Sequence, residues 1–221
     1  CRHIYGMGSK NLMKFTICND DKVFPYLVVD NFYSRNEQKL IWEELTHHQD
    51  KDNFKLDDPM HSTSAKDKKT NKPLSNSKRI YLDSIYKDNR NRSNILTVYQ
   101  KIISPSVRKA YRNTTPSWRI FEVTNRDASL VSYYENKQGY KAHFDKFMHS
   151  ALIWFYKKPK RFKGGDLTFN QPNKIVECKH NRLVLFPSYY LHSIDEVNME
   201  KKYRDKGLGR YCLTHFYGRN L

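Results

Sequence analysis

Two histidines and an aspartate in the second half of the chain have the types and spacing of metal ligands. His143 and Asp145 are separated by one residue. Residues two apart in a β-strand point to the same face, so this pair could hold one ion from a single strand. Two imidazoles and one carboxylate suit non-haem Fe(II) with coordination positions left open. The third ligand must come from elsewhere, and the best candidate is His192, which follows the apolar run 183–186 and a turn at Pro187.

Arg210 is the second candidate functional residue, because it opens the apolar run 210–217. Strand alternation places Arg210, Cys212 and Thr214 on one face and Leu213 on the other. An arginine that faces the inside of a β structure destabilises the fold unless its charge is paired with an anion. A planar guanidinium can bind a carboxylate through two hydrogen bonds, so the predicted partner is a substrate carboxylate.

Short β-strands dominate the region that must position these residues. Turn-forming residues separate the apolar stretches, as expected for strands. Strands are predicted near 118–124, 128–135, 149–156, 165–169, 174–178, 182–186 and 210–217. Short strands at this spacing favour a sandwich or a barrel.

The first half of the chain is predicted to be mainly helical. Residues 14–29 alternate and end in an apolar run, which predicts a strand. Ser34 and Glu37 then form a capping-box pattern that opens a helix. Residues 94–110 have helical periodicity, with a break and restart predicted at Pro105 because proline suits a first helical turn.

Residues 50–79 have a different composition, rich in Asp, Lys, Ser, Asn and Thr and poor in large apolar residues. Long segments of this kind tend to be functional or disordered, so a flexible lid is predicted there. No linker or internal repeat divides the chain. We therefore predict one domain over 1–221, with helical support over 14–112 and a β core over 118–218.

The order of the motifs is similar to that of a known family. The first motif, in 134–145, consists of a tyrosine, a glycine, a second tyrosine and His-x-Asp. The second is a glycine pair before a predicted strand, in 164–169, and the third is a Phe-Pro pair followed by a histidine, in 186–192. These motifs resemble the 2-oxoglutarate and Fe(II)-dependent dioxygenases, in their prolyl 4-hydroxylase-like branch. The resemblance covers about residues 120–218 and reaches more weakly to 28–32.

The resemblance implies an α+β fold with a mainly β core, a double-stranded β-helix (jelly roll) with N-terminal helices packed on one sheet. It implies three iron ligands: His143, Asp145 and His192. Arg210 would bind the distal carboxylate of 2-oxoglutarate, Tyr134 would contact this cosubstrate, and Thr214 would line the pocket. The family often adds a tyrosine from the strand after the metal motif, here 151–156, but the sequence does not fix the register of that strand.

The chain departs from the family pattern at two places. Cys212 stands where serine or alanine is usual. His192 and Arg210 are 18 positions apart, which is wider than usual, and the extra residues read as a polar loop. Arg204 is therefore an alternative cosubstrate ligand, although Arg210 is favoured because it opens an apolar strand.

The implied cofactors are Fe(II), 2-oxoglutarate and O2, with ascorbate as an optional reductant. The implied reaction hydroxylates a C–H bond, most plausibly of a prolyl or other side chain in a protein or peptide, and releases succinate and CO2. One alternative is an oxygenase that acts on nucleic acid. Such enzymes usually carry a second arginine on the strand of the first, and the position six after Arg210 is Phe216. The other alternative is a non-catalytic binding module, against which the intact metal triad argues.

The charge of the chain is the strongest feature of its composition. Forty Lys and Arg residues against 23 acids give a formal net charge of +17. This excess favours an anionic partner, nucleic acid or acidic protein, or simply serves solubility. The run 157–163 holds five positive charges, and a solvated loop is favoured there over a contact site.

The cellular location is predicted from what the sequence lacks. It contains no apolar stretch long enough to span a membrane and no secretory signal at its start. Its four cysteines are too widely spaced for a metal or redox pair, so reduced thiols are expected. We therefore expect an intracellular, cytoplasmic protein with no membrane partner.

Overall fold

The structure, a computed structural model, describes residues 2–5, 12–19, 24–56, 64–115, 118–171 and 173–220. Its helices are α1 (Arg35–Asp50), α2 (Leu82–Ile85), α3 (Asn94–Val98), α4 (Pro105–Arg112) and α5 (Trp118–Glu122). Short 3₁₀ turns lie at Arg90–Arg92, Tyr99–Ile103 and Lys201–Tyr203. The strands of the first half are β1 (Arg2–Tyr5), β2 (Lys14–Cys18), β3 (Tyr26–Asp30), β4 (Lys55–Leu56) and β5 (Lys78–Tyr81).

The strands of the second half form most of the core. They are β6 (Arg126–Tyr134), β7 (Gln138–His143), β8 (His149–Phe155), β9 (Phe162–Lys163), β10 (Leu167–Asn170), β11 (Asn173–Val176), β12 (Arg182–Pro187), β13 (His192–Met199) and β14 (Arg210–Gly218). They divide between two antiparallel sheets. The larger sheet has the order β1-β2-β3-β12-β8-β14-β6-β5-β4, and the smaller has the order β11-β10-β13-β7 with β9 beside β13.

The centre of the larger sheet is buried on both faces. Every residue of β8 and β12 is buried. Ile153 and Leu213 belong to a core cluster that packs the helices against the outer face. Leu152 and Cys212 belong to a second cluster that lies between the two sheets. These two layers explain the continuous apolar runs of the sequence, and they confirm the double-stranded β-helix with helices packed on one sheet.

Helix α1 begins as the sequence predicts. The Glu37 backbone N–H donates to Ser34 Oγ, and the Ser34 backbone N–H donates to the Glu37 carboxylate, which completes the capping box. The helix predicted over 94–110 divides into α3, a 3₁₀ turn and α4. Helix α4 starts at Pro105, so the predicted break and restart are confirmed.

Two of the predicted strands are wrong in detail. Residues Trp118–Glu122 form helix α5, and the strand starts only at Arg126. Tertiary packing overrides the local β preference, because the Phe121 ring lies edge-on to Tyr111 and Tyr217. The single strand predicted over 14–29 is a pair, β2 and β3, in antiparallel register from Lys14↔Asp30 to Cys18↔Tyr26.

Three cysteines in the described residues, Cys18, Cys178 and Cys212, are buried, and Cys178 and Cys212 are free thiols. Among those same residues, no helix combines the length and the apolar character needed to cross a bilayer.

Two buried histidines lie on the outer face of the larger sheet. His149 Nδ1 lies 2.9 Å from the hydroxyl of Tyr111 on α4, and His215 Nδ1 lies 2.8 Å from Oγ of Ser129 on the neighbouring strand β6. Neither Nε2 atom has a hydrogen-bond partner within the described part of the chain. Burial lowers the pKa of His149 to about 4 and that of His215 to about 3.

The free energy of unfolding is therefore expected to fall as the pH drops below about 6.5, the usual histidine pKa. Unfolding exposes both rings, so the unfolded state binds more protons than the folded state until the pH reaches the folded pKa values. Each ring should contribute a slope of up to about 1.4 kcal/mol per pH unit in this window. Urea unfolding at pH 7, 6 and 5 measures the slope. His215→Asn should reduce it, whereas replacing the exposed His47 should not; equal slopes in all three proteins would contradict the assignment.

Candidate active site

The pairing of the smaller sheet brings the three predicted metal ligands together. His143 is the last residue of β7, and His192 is the first residue of β13 and its direct partner in register. The sequence predicts that both residues of the His-x-Asp motif lie on one strand. In the structure β7 ends at His143, and Asp145 lies just beyond that end. One ligand atom from each residue lies within 4.8 Å of the others.

Hydrogen bonds fix the orientation of each ligand side chain. Nδ1 of His143 lies 2.8 Å from the Lys141 carbonyl oxygen, and Nδ1 of His192 lies 2.8 Å from the Tyr190 carbonyl oxygen. Each Nδ1–H therefore donates to the backbone, and the Nε2 lone pair faces the site. Ser150 Oγ donates to Asp145 Oδ2 at 2.5 Å. Such outer partners hold metal ligands in place and tune their basicity.

The electrostatics of the cluster also suit a cation. Burial works to raise the pKa of Asp145, but His192 and His143 together hold it below its usual value. Burial lowers the pKa of His192. The cluster therefore presents a carboxylate beside two imidazole Nε2 atoms, the donor set that suits Fe(II).

Tyr140 connects this cluster to the segment 64–79, the second of the two described parts of the predicted lid. Its ring stacks on His143 with 3.5 Å between ring centroids. Its hydroxyl accepts a hydrogen bond from the Ala65 backbone N–H at 2.8 Å, and the Arg79 guanidinium lies over the ring at 5.0 Å. This segment thus packs beside the site. Residues 57–63 of the predicted lid lie outside the described residues, and its flexibility stays a prediction.

A cavity of about 710 Å³ opens above the three ligands. Tyr134 and Thr214 line it, together with Leu152 and Cys212 from the face of the larger sheet that points to the smaller one. Contact of Tyr134 with a cosubstrate stays a prediction. The strand alternation predicted for Cys212 and Leu213 is confirmed, because the two belong to opposite core clusters.

Arg210 lies behind the wall of this cavity and is completely buried. None of its three guanidinium nitrogens has a hydrogen-bond partner among the residues that the structure describes. The guanidinium carbon is 4.8 Å from the centroid of the Tyr134 ring and 5.6 Å from that of Trp154. A buried guanidinium without an acceptor destabilises the folded protein, because its charge is removed from water and left unpaired. This arrangement suits an anion that a bound ligand supplies.

The glycine pair of the sequence makes room for this arginine. Gly165 has a φ of +76°, and a Cβ added there would come 2.7 Å from Cδ of Arg210. A side chain at this position would therefore displace the guanidinium.

The alternative arginine is placed elsewhere. Arg204 donates from Nε to the Met199 carbonyl oxygen at 3.0 Å, and it follows the far end of β13 from His192. At about 3.3 Å per strand residue, Met199 is roughly 23 Å from His192. The wide spacing of the sequence arises because β13 runs to Met199 and pairs there with β9 before the chain returns.

Three residues of the site were not assigned from the sequence: Ser150 and Tyr140 beside the metal ligands, and Trp154 beside Arg210. Trp154 pairs with Cys212 in register, so it shares the inner face with Leu152. Its buried indole nitrogen has no hydrogen-bond partner among the described residues. The sequence does not show which residues of β8 face the smaller sheet, because this strand is apolar on both faces. The register of β8 against β14 is needed to place Trp154 on that face. Ser150 could have been suspected from the sequence, because it is a polar residue near the start of an otherwise apolar strand.

A double-stranded β-helix with two histidines and a carboxylate at one end and a buried arginine behind the cavity suits a metal-dependent oxygenase that uses a carboxylate cosubstrate. Residues 129–218 match the family model of the 2OG-Fe(II) oxygenase superfamily. This match spans the β core, which carries the three candidate metal ligands and Arg210, and over it the chain is similar to the oxygenases that use Fe(II) and 2-oxoglutarate.

Solved structures show the same fold at low sequence identity. A Pseudomonas putida prolyl-4-hydroxylase superposes with a TM-score of 0.58 at 14% identity, covering 92% of this chain and 97% of the other. A Trichoplax adhaerens prolyl hydroxylase in complex with a hypoxia inducible factor oxygen degradation domain peptide fragment gives 0.57 at 13% identity, covering 87% and 83%. A Phytophthora capsici prolyl 4-hydroxylase gives 0.54 at 17% identity, covering 91% and 60%. No curated protein sequence matches the chain.

Proposed function

We propose that this protein is a dioxygenase that depends on Fe(II), 2-oxoglutarate and O2. It hydroxylates a C–H bond of a side chain in a protein or peptide, a prolyl residue first among them, and forms succinate and CO2 from 2-oxoglutarate. The observation that carries the proposal is the pairing of two buried features around one cavity. One is the His143, Asp145 and His192 cluster, and the other is the unpartnered guanidinium of Arg210. The first suits Fe(II), and the second suits a carboxylate.

His143, Asp145 and His192 would hold the iron through Nε2, a carboxylate oxygen and Nε2. When bound, Fe(II) with 2-oxoglutarate supplies the activation of O2. The residues of the chain orient the ligand atoms: the Lys141 and Tyr190 carbonyls fix the two rings, and Ser150 holds the carboxylate. Ser150 and Ser188, whose hydroxyl oxygens lie 2.8 Å apart, extend this network into the core.

Arg210 would bind the distal carboxylate of 2-oxoglutarate through two charge-assisted hydrogen bonds. Tyr134 lines the cavity directly beside it, opposite Arg210 in the strand register, and Thr214 lines the same wall. The buried indole N–H of Trp154 is a further donor in reach of this region, since its ring lies against the guanidinium. The apolar Leu152 helps to exclude water.

Two observations support a peptide as the primary substrate. The fold is that of prolyl hydroxylases, and the Trichoplax adhaerens enzyme was solved with a peptide. In addition, the cavity opens at a surface where Phe144 and Met148 are exposed, which offers apolar contact to a peptide. An oxygenase that acts on nucleic acid is the alternative to be tested.

One screen tests the proposal. Succinate release is measured with Fe(II) and 2-oxoglutarate against proline-containing peptides, free amino acids and methylated oligonucleotides. We expect release to rise above the substrate-free rate with a peptide, and mass spectrometry to show a gain of one oxygen on it. Turnover of only the methylated oligonucleotides would instead favour the alternative, and no 2-oxoglutarate consumption under any condition would refute the proposal.

Trp154→Phe is expected to raise the 2-oxoglutarate concentration needed for half-maximal turnover by roughly ten-fold. The variant keeps an aromatic ring but removes the N–H, and a hydrogen bond to a charged group is worth about 1.5–3 kcal/mol. Steady-state kinetics at varied 2-oxoglutarate measures the change. Trp42→Phe is the matched control, because Trp42 packs against Tyr211 and His180 on the outer side of the larger sheet. An unchanged requirement in Trp154→Phe would remove the indole from the cosubstrate site.

A further inference from the structure

Three exposed cations line the rim of the cavity: Arg126, Lys146 and Arg219. Arg126 opens β6 and is paired in register with Gly218, the last residue of β14. Arg219 follows β14 directly, and Lys146 lies in the connection from β7 to β8. Three separate elements thus bring positive charge to the same rim.

The rest of the site leaves these charges unbalanced. Asp145 is the one acidic residue among the described residues that line the cavity. In the loaded site, the charge of Fe(II) balances that of 2-oxoglutarate, and Arg210 balances Asp145. The rim cations are therefore not needed to bind either cofactor.

None of the three rim cations forms an ion pair within the described part of the chain. Other arginines are paired: Arg182 binds Asp30, and Arg90 binds Asp83 and Asp127. Arg79 also lines the cavity, but it is buried and donates from Nε to Ser77 Oγ. The three rim cations can therefore bind an anionic ligand, whereas Arg79, deeper in the cavity, already has a hydrogen-bond partner within the protein.

The Phe147 ring at the rim is covered by its neighbours. It stacks on Phe216 with centroids 5.2 Å apart, and the Arg126 guanidinium lies 5.3 Å from its centroid. Both neighbours occupy the ring surface on which a base would otherwise stack. The rim cations lie beside the exposed apolar side chains of Phe144 and Met148, which suit the apolar residues of a peptide, and a comparison with an oligonucleotide distinguishes the two partners.

We propose that the primary substrate is an acidic peptide segment, in which Asp or Glu residues that flank the target residue bind Arg126, Lys146 and Arg219. This inference rests on the proposed function, since it assigns the class of substrate to the same site. Charge pairs at a solvated rim each contribute modestly, but they steer the encounter and select between partners.

Peptide binding to the full chain tests the proposal without requiring turnover. Fluorescence anisotropy compares three labelled peptides of equal length around one proline, flanked by Asp and Glu, by Asn and Gln, or by Lys. We expect the acidic peptide to bind roughly ten-fold more tightly than the neutral one, because three exposed charge pairs that each contribute modestly act together. The preference should weaken as salt rises from about 0.05 to 0.5 M, because added ions screen exposed charges.

Two triple variants with the same charge change locate the effect. Arg126→Glu, Lys146→Glu and Arg219→Glu together should remove the preference for the acidic peptide. Lys157→Glu, Lys158→Glu and Lys163→Glu, in the exposed basic run 157–163, should keep it. If the acidic peptide binds no better than the neutral one, or if the second variant loses the preference equally, the proposal is wrong.

A labelled single-stranded oligonucleotide provides the remaining comparison. Tighter binding of the oligonucleotide than of the acidic peptide, abolished by the rim variant, would replace the peptide with a nucleic acid as the partner and overturn the proposal. Failure of the proposed function is recognised separately: in that case the wild-type protein consumes no 2-oxoglutarate, whatever its preference among the peptides.

Discussion

Asp145→Ala is expected to abolish 2-oxoglutarate turnover, with a loss greater than 100-fold. Removal of an outer partner of a metal ligand alone costs about 10–100-fold, and Asp145 is the only anionic ligand in the cluster. The Asp145 carboxylate oxygens also lie 3.5 Å from Nε2 of each histidine, so its loss removes the negative charge that attracts a dication to this position. Succinate formation with saturating Fe(II) and 2-oxoglutarate measures the effect.

The variant should remain folded, because alanine leaves no unpaired charge in the buried site. In the wild-type protein a bound divalent metal should raise the melting temperature, since a ligand that binds only the folded state stabilises it. This increase should vanish in Asp145→Ala. Asp195→Ala is the matched control: Asp195 is exposed on β13, three residues from His192, and contacts Thr168. Wild-type succinate formation by Asp145→Ala would contradict the assignment of the ligands.

Arg210→Met is the second change with a large expected effect, and it should act on stability and on binding in opposite directions. Without ligand, the variant should melt at the same temperature as the wild type or higher, because it replaces an unpaired buried charge with an apolar side chain of similar length. With ligand, the half-saturating 2-oxoglutarate concentration should rise by about 10–150-fold, as expected for the loss of hydrogen bonds to a charged group of about 1.5–3 kcal/mol.

Thermal unfolding with and without 2-oxoglutarate, in the presence of metal, measures both effects. The wild-type protein should be stabilised by 2-oxoglutarate, whereas Arg210→Met should respond only at much higher concentration. Arg204→Met is the control that decides between the two arginines. A lost response in Arg204→Met with a normal response in Arg210→Met would transfer the carboxylate site to Arg204.

Much of the β core could be predicted from the sequence, because its signals are local. Strands β8 and β12 are buried on both faces and therefore read as continuous apolar runs. The helix start at Ser34 and the break at Pro105 follow from backbone chemistry that acts over a few residues. The types of the three metal ligands also predicted the chemistry of the site, before their positions were known.

The features that could not be predicted depend on contacts between distant residues. Strand β13 is half-exposed and polar in composition, so its sequence resembles a loop, yet pairing with β7 and β10 makes it a strand. The sequence does not show which residues of β8 face the smaller sheet, because the strand is apolar on both sides. The position of Trp154 beside Arg210 could therefore not be predicted. Helix α5 depends on rings contributed by α4 and β14. The division into one domain over 1–221 stays a prediction.

The metal centre is tested most directly by an anaerobic titration of Fe(II) into the protein saturated with 2-oxoglutarate, followed by calorimetry. The cluster of His143, Asp145 and His192 predicts one equivalent of bound iron for the wild-type chain, and none over the same concentration range for His192→Ala or Asp145→Ala. One equivalent bound with unchanged affinity by both variants would show that the iron lies elsewhere.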